Sequence, residues 1–318
     1  MKTNLLILLV SGVSSALACA LLIPILKRLH AGQYILGYVK EHESKSGTPT
    51  MGGIAFAAAA VIAAVLFGVF SDRHTAVAVT FGLAYTAVGL LDDALKLRGK
   101  HNQGLRAWQK IIFQGVVAVF AGVYCYRSGL TVFRLPFSGA EFRAGAWTIP
   151  LVAFAFVATT NCVNLTDGLD GLAASVCFWY FAALAVLIFA FEKSVDVPLA
   201  RMALILCGVL VGYLLFNTHR ASVFMGDTGS LGLGGFAAAI AAFSGNLLFI
   251  PVVGIMFVCS GISVILQVIY YKRTKKRLFL MAPLHHHFQQ KGYAESKIGY
   301  AYSAVTAAAG LVCLLFAF

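Results

Sequence analysis

The sequence predicts an all-α polytopic membrane protein. Hydrophobic residues occupy 60% of the 318 positions and charged residues only 11%, whereas soluble domains carry about 25% charged residues. Several apolar runs reach the roughly 20 residues that a membrane-spanning helix needs. Membrane strands would require a closed barrel with alternating polarity, and the sequence shows no such alternation. We therefore expect one integral-membrane domain over residues 1–318.

The apolar runs predict about ten transmembrane helices. They cover 4–26, 51–70, 75–91, 111–126, 147–163, 172–191, 199–216, 231–246, 249–270 and 298–318. The first run follows a single basic residue, Lys2, and continues to Leu26, which is too long for a typical cleaved leader. We therefore interpret it as a retained first helix.

The basic residues predict the orientation in the membrane. The segments 27–50, 92–110, 164–171, 217–230 and 271–297 contain 17 of the 24 Lys and Arg residues. The positive-inside rule makes this side cytoplasmic, and an even number of spans then places both termini outside. This orientation, with attraction to anionic lipid headgroups, accounts for the net charge of +12. Nucleic-acid binding would need a basic soluble domain, and none is predicted.

Five aspartates in the predicted cytoplasmic loops are the best indication of function. Asp92 and Asp93 follow the third span, Asp167 and Asp170 lie in NLTDGLDGLA, and Asp227 lies in FMGDTGSLG. Carboxylates near lipid are costly and usually serve a site. Their clustering on one membrane face predicts Mg²⁺ and phosphate chemistry. Hardly any charge falls in the middle of a span, which favours an enzyme at the interface over a proton-coupled transporter.

The pair Asp92–Asp93 is followed by Lys96. In a continued helix the ammonium group would reach either carboxylate. Adjacent carboxylates repel each other, so one of them could take a proton, or both could hold Mg²⁺. An ordinary Asp–Lys pair at a helix end would have the same sequence.

The segment NLTDGLDG is more specific. A helical turn would place Asp167 and Asp170 on one face, and the glycines would let the backbone approach a phosphate closely. A polar turn between two spans is the alternative interpretation.

The segment FMGDTGS precedes the eighth predicted span. Thr228 or Ser230 could cap that helix, whose N-terminus favours anions. Phe224 could stack on a flat ring or be an ordinary interfacial aromatic.

In the last cytoplasmic loop, three adjacent histidines precede Lys291. Zinc sites use spaced ligands, so this group suits phosphate contacts better.

Together, five motifs of this chain resemble those of the polyprenyl-phosphate N-acetylhexosamine-1-phosphate transferases, and the resemblance covers nearly the whole chain. In chain order these motifs are TPTMGG, LDDALK, NLTDGLDGLA, FMGDTGS and PLHHHF. TPTMGG and the triple histidine resemble the muramoyl branch, whereas sister enzymes that use UDP-N-acetylglucosamine usually have other sequences there. Gln289 departs from the family pattern, which has an acidic residue after HHHF.

The resemblance implies a reaction in the bacterial inner (cytoplasmic) membrane. UDP-N-acetylmuramoyl-pentapeptide would give its phospho-sugar to undecaprenyl phosphate, yielding lipid I and UMP, with Mg²⁺ as cofactor. A transferase for UDP-N-acetylglucosamine and a lipid-linked-sugar transporter are the alternatives. The sequence leaves the oligomeric state open, and a homodimer is one option.

The matching motifs also imply roles for individual residues. Catalytic roles fall on Asp92, Asp93, Asp227, Lys96 and His286, with Asp227 at the metal. Substrate contacts fall on Phe224, Gly168, Leu169, Asp170, Asn164, Asp167, Lys45, Thr50, Lys110, Asn217, His285 and His287. The acceptor phosphate is already largely ionised at neutral pH. We therefore expect direct attack, with Asp92 or Asp93 orienting the acceptor, and a covalent intermediate on Asp227 is the competing mechanism.

Overall fold

The computed structural model describes residues 2–29, 47–99, 104–192 and 197–317, and most of them are helical. In chain order the helices are α1 (Lys2–Arg28), α2 (Gly53–Leu66), α3 (Arg73–Gly99), α4 (Ala107–Arg127), α5 (Thr148–Thr166), α6 (Leu172–Glu192), α7 (Pro198–Asn217), α8 (Gly226–Phe243), α9 (Ile250–Val253), α10 (Ile255–Thr274), α11 (Leu284–Gln290) and α12 (Glu295–Leu315). Short 3₁₀ turns cover Val69–Ser71, Gly145–Trp147 and Leu247–Phe249. The predicted class, an all-α polytopic membrane protein, is confirmed.

Eight of the described helices are long and apolar enough to cross a membrane. Each of the ten predicted spans overlaps a helix, but α2 has only 14 residues, and α8 is not among the eight. The count of ten spans and the external position of both termini therefore stay predictions.

Helix α8 lies inside the bundle. Every residue from Thr228 to Phe243 is buried, because its glycine- and alanine-rich sequence lets neighbouring helices approach closely. Gly89 of α3 lies so close to the Asp227 backbone that a Cβ atom would overlap it. This close packing brings the end of α3, which carries Asp92 and Asp93, to the first turn of α8.

The sequence does not predict the short hairpin between α4 and α5. Strands β1 (Val132–Arg134) and β2 (Glu141–Arg143) pair antiparallel, with Phe133 opposite Phe142. Three-residue strands are too short to show an alternating pattern. The Arg134 guanidinium donates a hydrogen bond to the Ser244 carbonyl at 2.8 Å, so the hairpin braces the end of α8 that is remote from the aspartates.

Candidate active site

Three side chains from three helices converge on the Asp227 carboxylate in the first turn of α8. Lys96 of α3 donates to Oδ2 at 2.8 Å, and Lys110 of α4 donates to the same oxygen at 2.6 Å. Asn164 of α5 donates to Oδ1 at 2.6 Å. Four predicted site residues that are far apart in the sequence thus meet at one carboxylate.

Asp93 caps α8 from a neighbouring helix. Its Oδ2 accepts from the Thr228 amide at 2.9 Å and from the Thr228 hydroxyl at 2.7 Å, and its Oδ1 accepts from the Asp227 amide at 3.3 Å. The predicted cap by Thr228 or Ser230 is wrong, because the helix already begins at Gly226 and both residues lie inside it. Asp93 thereby satisfies amide groups that a helix N-terminus leaves without partners.

Asp92 holds the segment that leads into α4. Its Oδ1 accepts from the Leu105 amide at 2.7 Å. Its Oδ2 lies 2.7 Å from the Lys96 ammonium nitrogen, as the i,i+4 spacing predicts, and 3.4 Å from that of Lys110. Asp92 therefore sets the position of α4 and of the lysine that α4 presents to Asp227.

The three carboxylates could hold a metal ion. Oxygen atoms of Asp92, Asp93 and Asp227 lie within 4.8 Å of one another. Their side chains are 1%, 3% and 14% exposed, respectively, so Asp227 is the most accessible of the three. Carboxylate oxygens are ligands that hard divalent cations prefer, and the residues present therefore fit such an ion.

Residues 167–171 between α5 and α6 form a tight turn, so the predicted helical turn is wrong. Helix α5 ends at Thr166, and Gly171, directly before α6, has a φ of +71°, a left-handed conformation that favours glycine. Asp167 and Asp170 therefore do not share a helix face. Asp170 accepts from the Ala221 amide at 3.2 Å, which ties this turn to the segment before α8.

Asp167 lies in an unfavourable environment for a negative charge. Burial, together with the negative charges of Asp227, Asp93 and Asp170, raises the pKa of Asp167 to about 8. The carboxyl is therefore mostly protonated at neutral pH, and a neutral carboxyl can donate a hydrogen bond.

We expect Asp167→Asn to stabilise the protein at alkaline pH. The unfolded carboxyl ionises near pH 4 and the folded one near pH 8. Between these values the folded state binds more protons, so stability falls as the pH rises, and an asparagine removes this loss. Thermal unfolding in detergent should show a gain on the order of 10 °C at pH 8 and a several-fold smaller gain at pH 5. A gain independent of pH would contradict the raised pKa.

The TPTMGG segment braces the loop that carries Asp227. The Phe224 amide donates to the Pro49 carbonyl at 2.8 Å, and the Gly52 amide donates to the Phe224 carbonyl at 2.8 Å. Gly226 has a φ of +67°, and the side chains of Thr50 and Asp93 occupy the space that a Cβ atom there would need. Only glycine fits this position.

Several predicted substrate contacts lie behind the site or outside the described residues. Asn217 is 2% exposed, and its amide accepts from the Gly171 amide at 3.2 Å and donates to the Val223 carbonyl at 2.9 Å. It therefore links two loops through backbone groups. Leu169 is buried, and Lys45 lies outside the described residues.

The three adjacent histidines have three different environments. His285 is fully buried and packs against Gly168, so it supports the turn between α5 and α6. His287 accepts from the Leu280 amide through Nδ1 at 3.1 Å, and burial together with the Lys291 charge lowers the pKa of His287. His286 pairs through Nδ1 with Gln289 at 2.9 Å.

Two polar residues that the sequence did not single out, His219 and Glu295, lie beside Asp170 in the turn at residues 167–171. An oxygen or nitrogen atom of each of Asp170, His219 and Glu295 lies within 4.8 Å of the others. These residues are far apart along the chain and form no local motif, so only the fold brings them together.

Comparisons with known proteins show the family of this chain. The model of glycosyl transferase family 4 matches residues 75–245, and signature 1 of the phospho-N-acetylmuramoyl-pentapeptide-transferases matches residues 45–56. The phospho-N-acetylmuramoyl-pentapeptide-transferase of Clostridium novyi is 40% identical over 311 residues, which cover 96% of this chain and 94% of that protein. The chain belongs to the phospho-N-acetylmuramoyl-pentapeptide-transferase family.

Other members of this family are equally similar. The transferase of Heliobacterium modesticaldum is 42% identical over 300 residues, with 93% of this chain and 92% of that protein covered. That of Clostridium acetobutylicum is 40% identical over 315 residues and covers 96% of both chains. The predicted family, the enzyme class and the function in peptidoglycan synthesis are thereby confirmed. The family assignment replaces the two alternative functions, a transferase for UDP-N-acetylglucosamine and a transporter of lipid-linked sugars.

Proposed function

We propose that this transferase moves phospho-N-acetylmuramoyl-pentapeptide from its UDP-linked form to undecaprenyl phosphate, giving lipid I and UMP, at the site around Asp227. The convergence of Lys96, Lys110 and Asn164 on this carboxylate, in a chain of this family, carries the assignment. One phosphoanhydride bond breaks and another forms, so the reaction is close to balance and reversible.

The carboxylate cluster suits Mg²⁺. Asp227 would hold the ion, with Asp92 and Asp93 close behind it. A bound ion would neutralise part of the negative charge on the diphosphate of the nucleotide substrate. Lys96 and Lys110 each have a partly exposed side chain that reaches Asp227, so their ammonium groups can also contact phosphate oxygens and stabilise UMP as it leaves.

Direct attack by the acceptor phosphate fits the surrounding hydrogen bonds. An acceptor oxygen forms a bond to the phosphorus next to the sugar, and the bond from that phosphorus to UMP breaks. The acceptor is largely ionised at neutral pH, so no proton has to be removed. Asp93 already accepts from the Asp227 amide and from two donors of Thr228, which favours a positioning role over the predicted contact with the acceptor.

The turn at residues 167–171 and Phe224 suit the nucleoside end of the donor. Phe224 is only half-buried, so its ring can offer a face to a base. A protonated Asp167 adds no repulsion toward the incoming diphosphate and can donate a hydrogen bond to it. Asp170 is held by the Ala221 amide at the edge of the same turn.

An assay of the purified protein tests this function. UDP-N-acetylmuramoyl-pentapeptide should release UMP only when undecaprenyl phosphate and Mg²⁺ are present, and UDP-N-acetylglucosamine should release none. The substrate assignment would be overturned if both nucleotides were turned over equally, or if only UDP-N-acetylglucosamine were turned over.

The same assay separates the two mechanisms. Direct attack requires both substrates together, whereas an aspartyl-phosphate route would release up to one equivalent of UMP per site without lipid. We expect no such burst after residual lipid phosphate has been extracted and its absence checked. A stoichiometric burst would replace direct attack with the covalent route.

We also propose that the site faces the cytoplasm of the bacterial inner membrane and that the chain is one domain. The distribution of basic residues supports the orientation, and one buried cluster extending from Ile7 to Cys313 supports the single domain. Maleimide labelling of Lys100→Cys and Ser138→Cys, each in a background without accessible native thiols, should give opposite sides. Labelling from the same side would overturn the span count.

A further inference from the structure

A row of polar side chains leads away from His286. His286 and Gln289 are three residues apart in α11, and Nδ1 of the imidazole lies 2.9 Å from Oε1 of the amide. The Gln289 amide nitrogen donates to the Glu295 carboxylate at 3.3 Å, at the start of α12. The row therefore connects α11 with the start of α12.

The chemistry of these groups assigns the protons. A carboxylate only accepts hydrogen bonds, so Glu295 takes the NH₂ side of the Gln289 amide. The amide oxygen then faces His286, and Nδ1 of the imidazole must be the donor. In the neutral ring the lone pair consequently lies on Nε2. His287 has the opposite arrangement, because its Nδ1 accepts from the Leu280 amide.

Gln289 places a neutral amide next to the His286 ring. A carboxylate at this position would stabilise a positively charged imidazolium. The neutral amide holds the ring in the same orientation without adding a charge next to it, and the negative charge of Glu295 lies one residue further away. The amide therefore orients the ring through a hydrogen bond alone.

We propose that Gln289, held by Glu295, is a positioning residue that keeps His286 in the Nδ1–H tautomer. Nε2 is then the hydrogen-bond acceptor for a hydroxyl or N–H group of the nucleotide-sugar substrate. The identity of that substrate rests on the proposed function, whereas the tautomer rests only on the hydrogen bonds described above.

Nuclear magnetic resonance of the full chain in detergent, labelled with ¹⁵N-histidine, tests the tautomer without turnover. His286→Asn and His287→Asn assign the signals. We expect His286 as Nδ1–H and His287 as Nε2–H in the same spectrum. Gln289→Leu should shift His286 toward Nε2–H, and the matched change of the exposed neighbour, Gln290→Leu, should leave it unchanged. An Nε2–H or doubly protonated His286 in the unmodified chain would overturn the proposal.

Kinetics test the consequence for the substrate. Gln289→Leu should lower kcat/KM for the nucleotide substrate by about tenfold, with an unchanged thermal midpoint. In a His286→Asn background it should have no further effect, because the two residues act as one unit. A second tenfold loss in that background would show that Gln289 acts elsewhere. If the unmodified enzyme shows the expected tautomer but no turnover, the proposed function fails and the tautomer assignment stands.

Discussion

Asp227→Asn should lower kcat by on the order of 10³-fold while the protein stays folded. A carboxylate that binds a divalent cation supplies several kcal/mol of charge stabilisation, and each 1.4 kcal/mol corresponds to about a factor of ten in rate. The amide is a poor ligand for Mg²⁺. It also removes the charge that Lys96 and Lys110 share in the substrate-free enzyme.

UMP release at saturating and at limiting Mg²⁺ measures this effect. The matched control is Asp72→Asn, because the Asp72 carboxylate accepts from the Thr75 amide and hydroxyl at the other end of α3, and asparagine serves equally well as a cap. The control should keep normal turnover. Near-normal turnover of Asp227→Asn at limiting Mg²⁺ would show that the metal lies elsewhere.

Asp93→Ala should lose both activity and stability. Removing the carboxylate leaves the buried Thr228 amide and its hydroxyl without their acceptor, and each unsatisfied buried group costs about 1–3 kcal/mol. The first turn of α8 would then loosen, and we expect turnover to fall by at least about 10²-fold because misplaced catalytic groups react slowly. Thermal unfolding and UMP release should fall together.

Asp93→Asn separates the positioning role from a role as a base. The asparagine oxygen can still accept from Thr228. Its NH₂ group, however, would face the Asp227 amide, which in the unmodified enzyme donates to the Asp93 carboxylate, so two donors would meet. We therefore expect Asp93→Asn to lie between the unmodified enzyme and Asp93→Ala in both activity and thermal midpoint. If Asp93→Asn were as inactive as Asp93→Ala but fully stable, Asp93 would act on the acceptor directly.

Sequence reasoning succeeded where the relevant contacts are local or where a motif carries a family signature. The pairing of Lys96 with Asp92 follows from helical spacing, and the apolar runs locate the helices. The capping of α8 by Asp93 joins residues 135 positions apart, so no local pattern contains it. The expected cap by Thr228 failed for the same reason, because a cap residue from another helix allowed α8 to begin earlier.

Two further features depend on the fold rather than on a local pattern. The helical turn that would place Asp167 and Asp170 on one face is absent, because α5 ends at Thr166 and residues 167–171 form a turn. Helix α8 contains most of the predicted span 231–246, and its residues are buried among other helices. Surroundings that are protein rather than lipid accept small and polar residues, and sequence hydropathy does not distinguish the two.

The cap on α8 also ties the site to the packing of α3 against α8. Amide hydrogens in a first helical turn normally exchange quickly with water, because no helical carbonyl binds them. Those of Asp227 and Thr228 are bound to a buried side chain of α3, so their exchange requires α3 and α8 to separate. We expect both amides to exchange as slowly as the centre of the bundle. The backbone that carries the Asp227 carboxylate should therefore open as rarely as the core of the helix bundle, although Asp227 lies at a helix end.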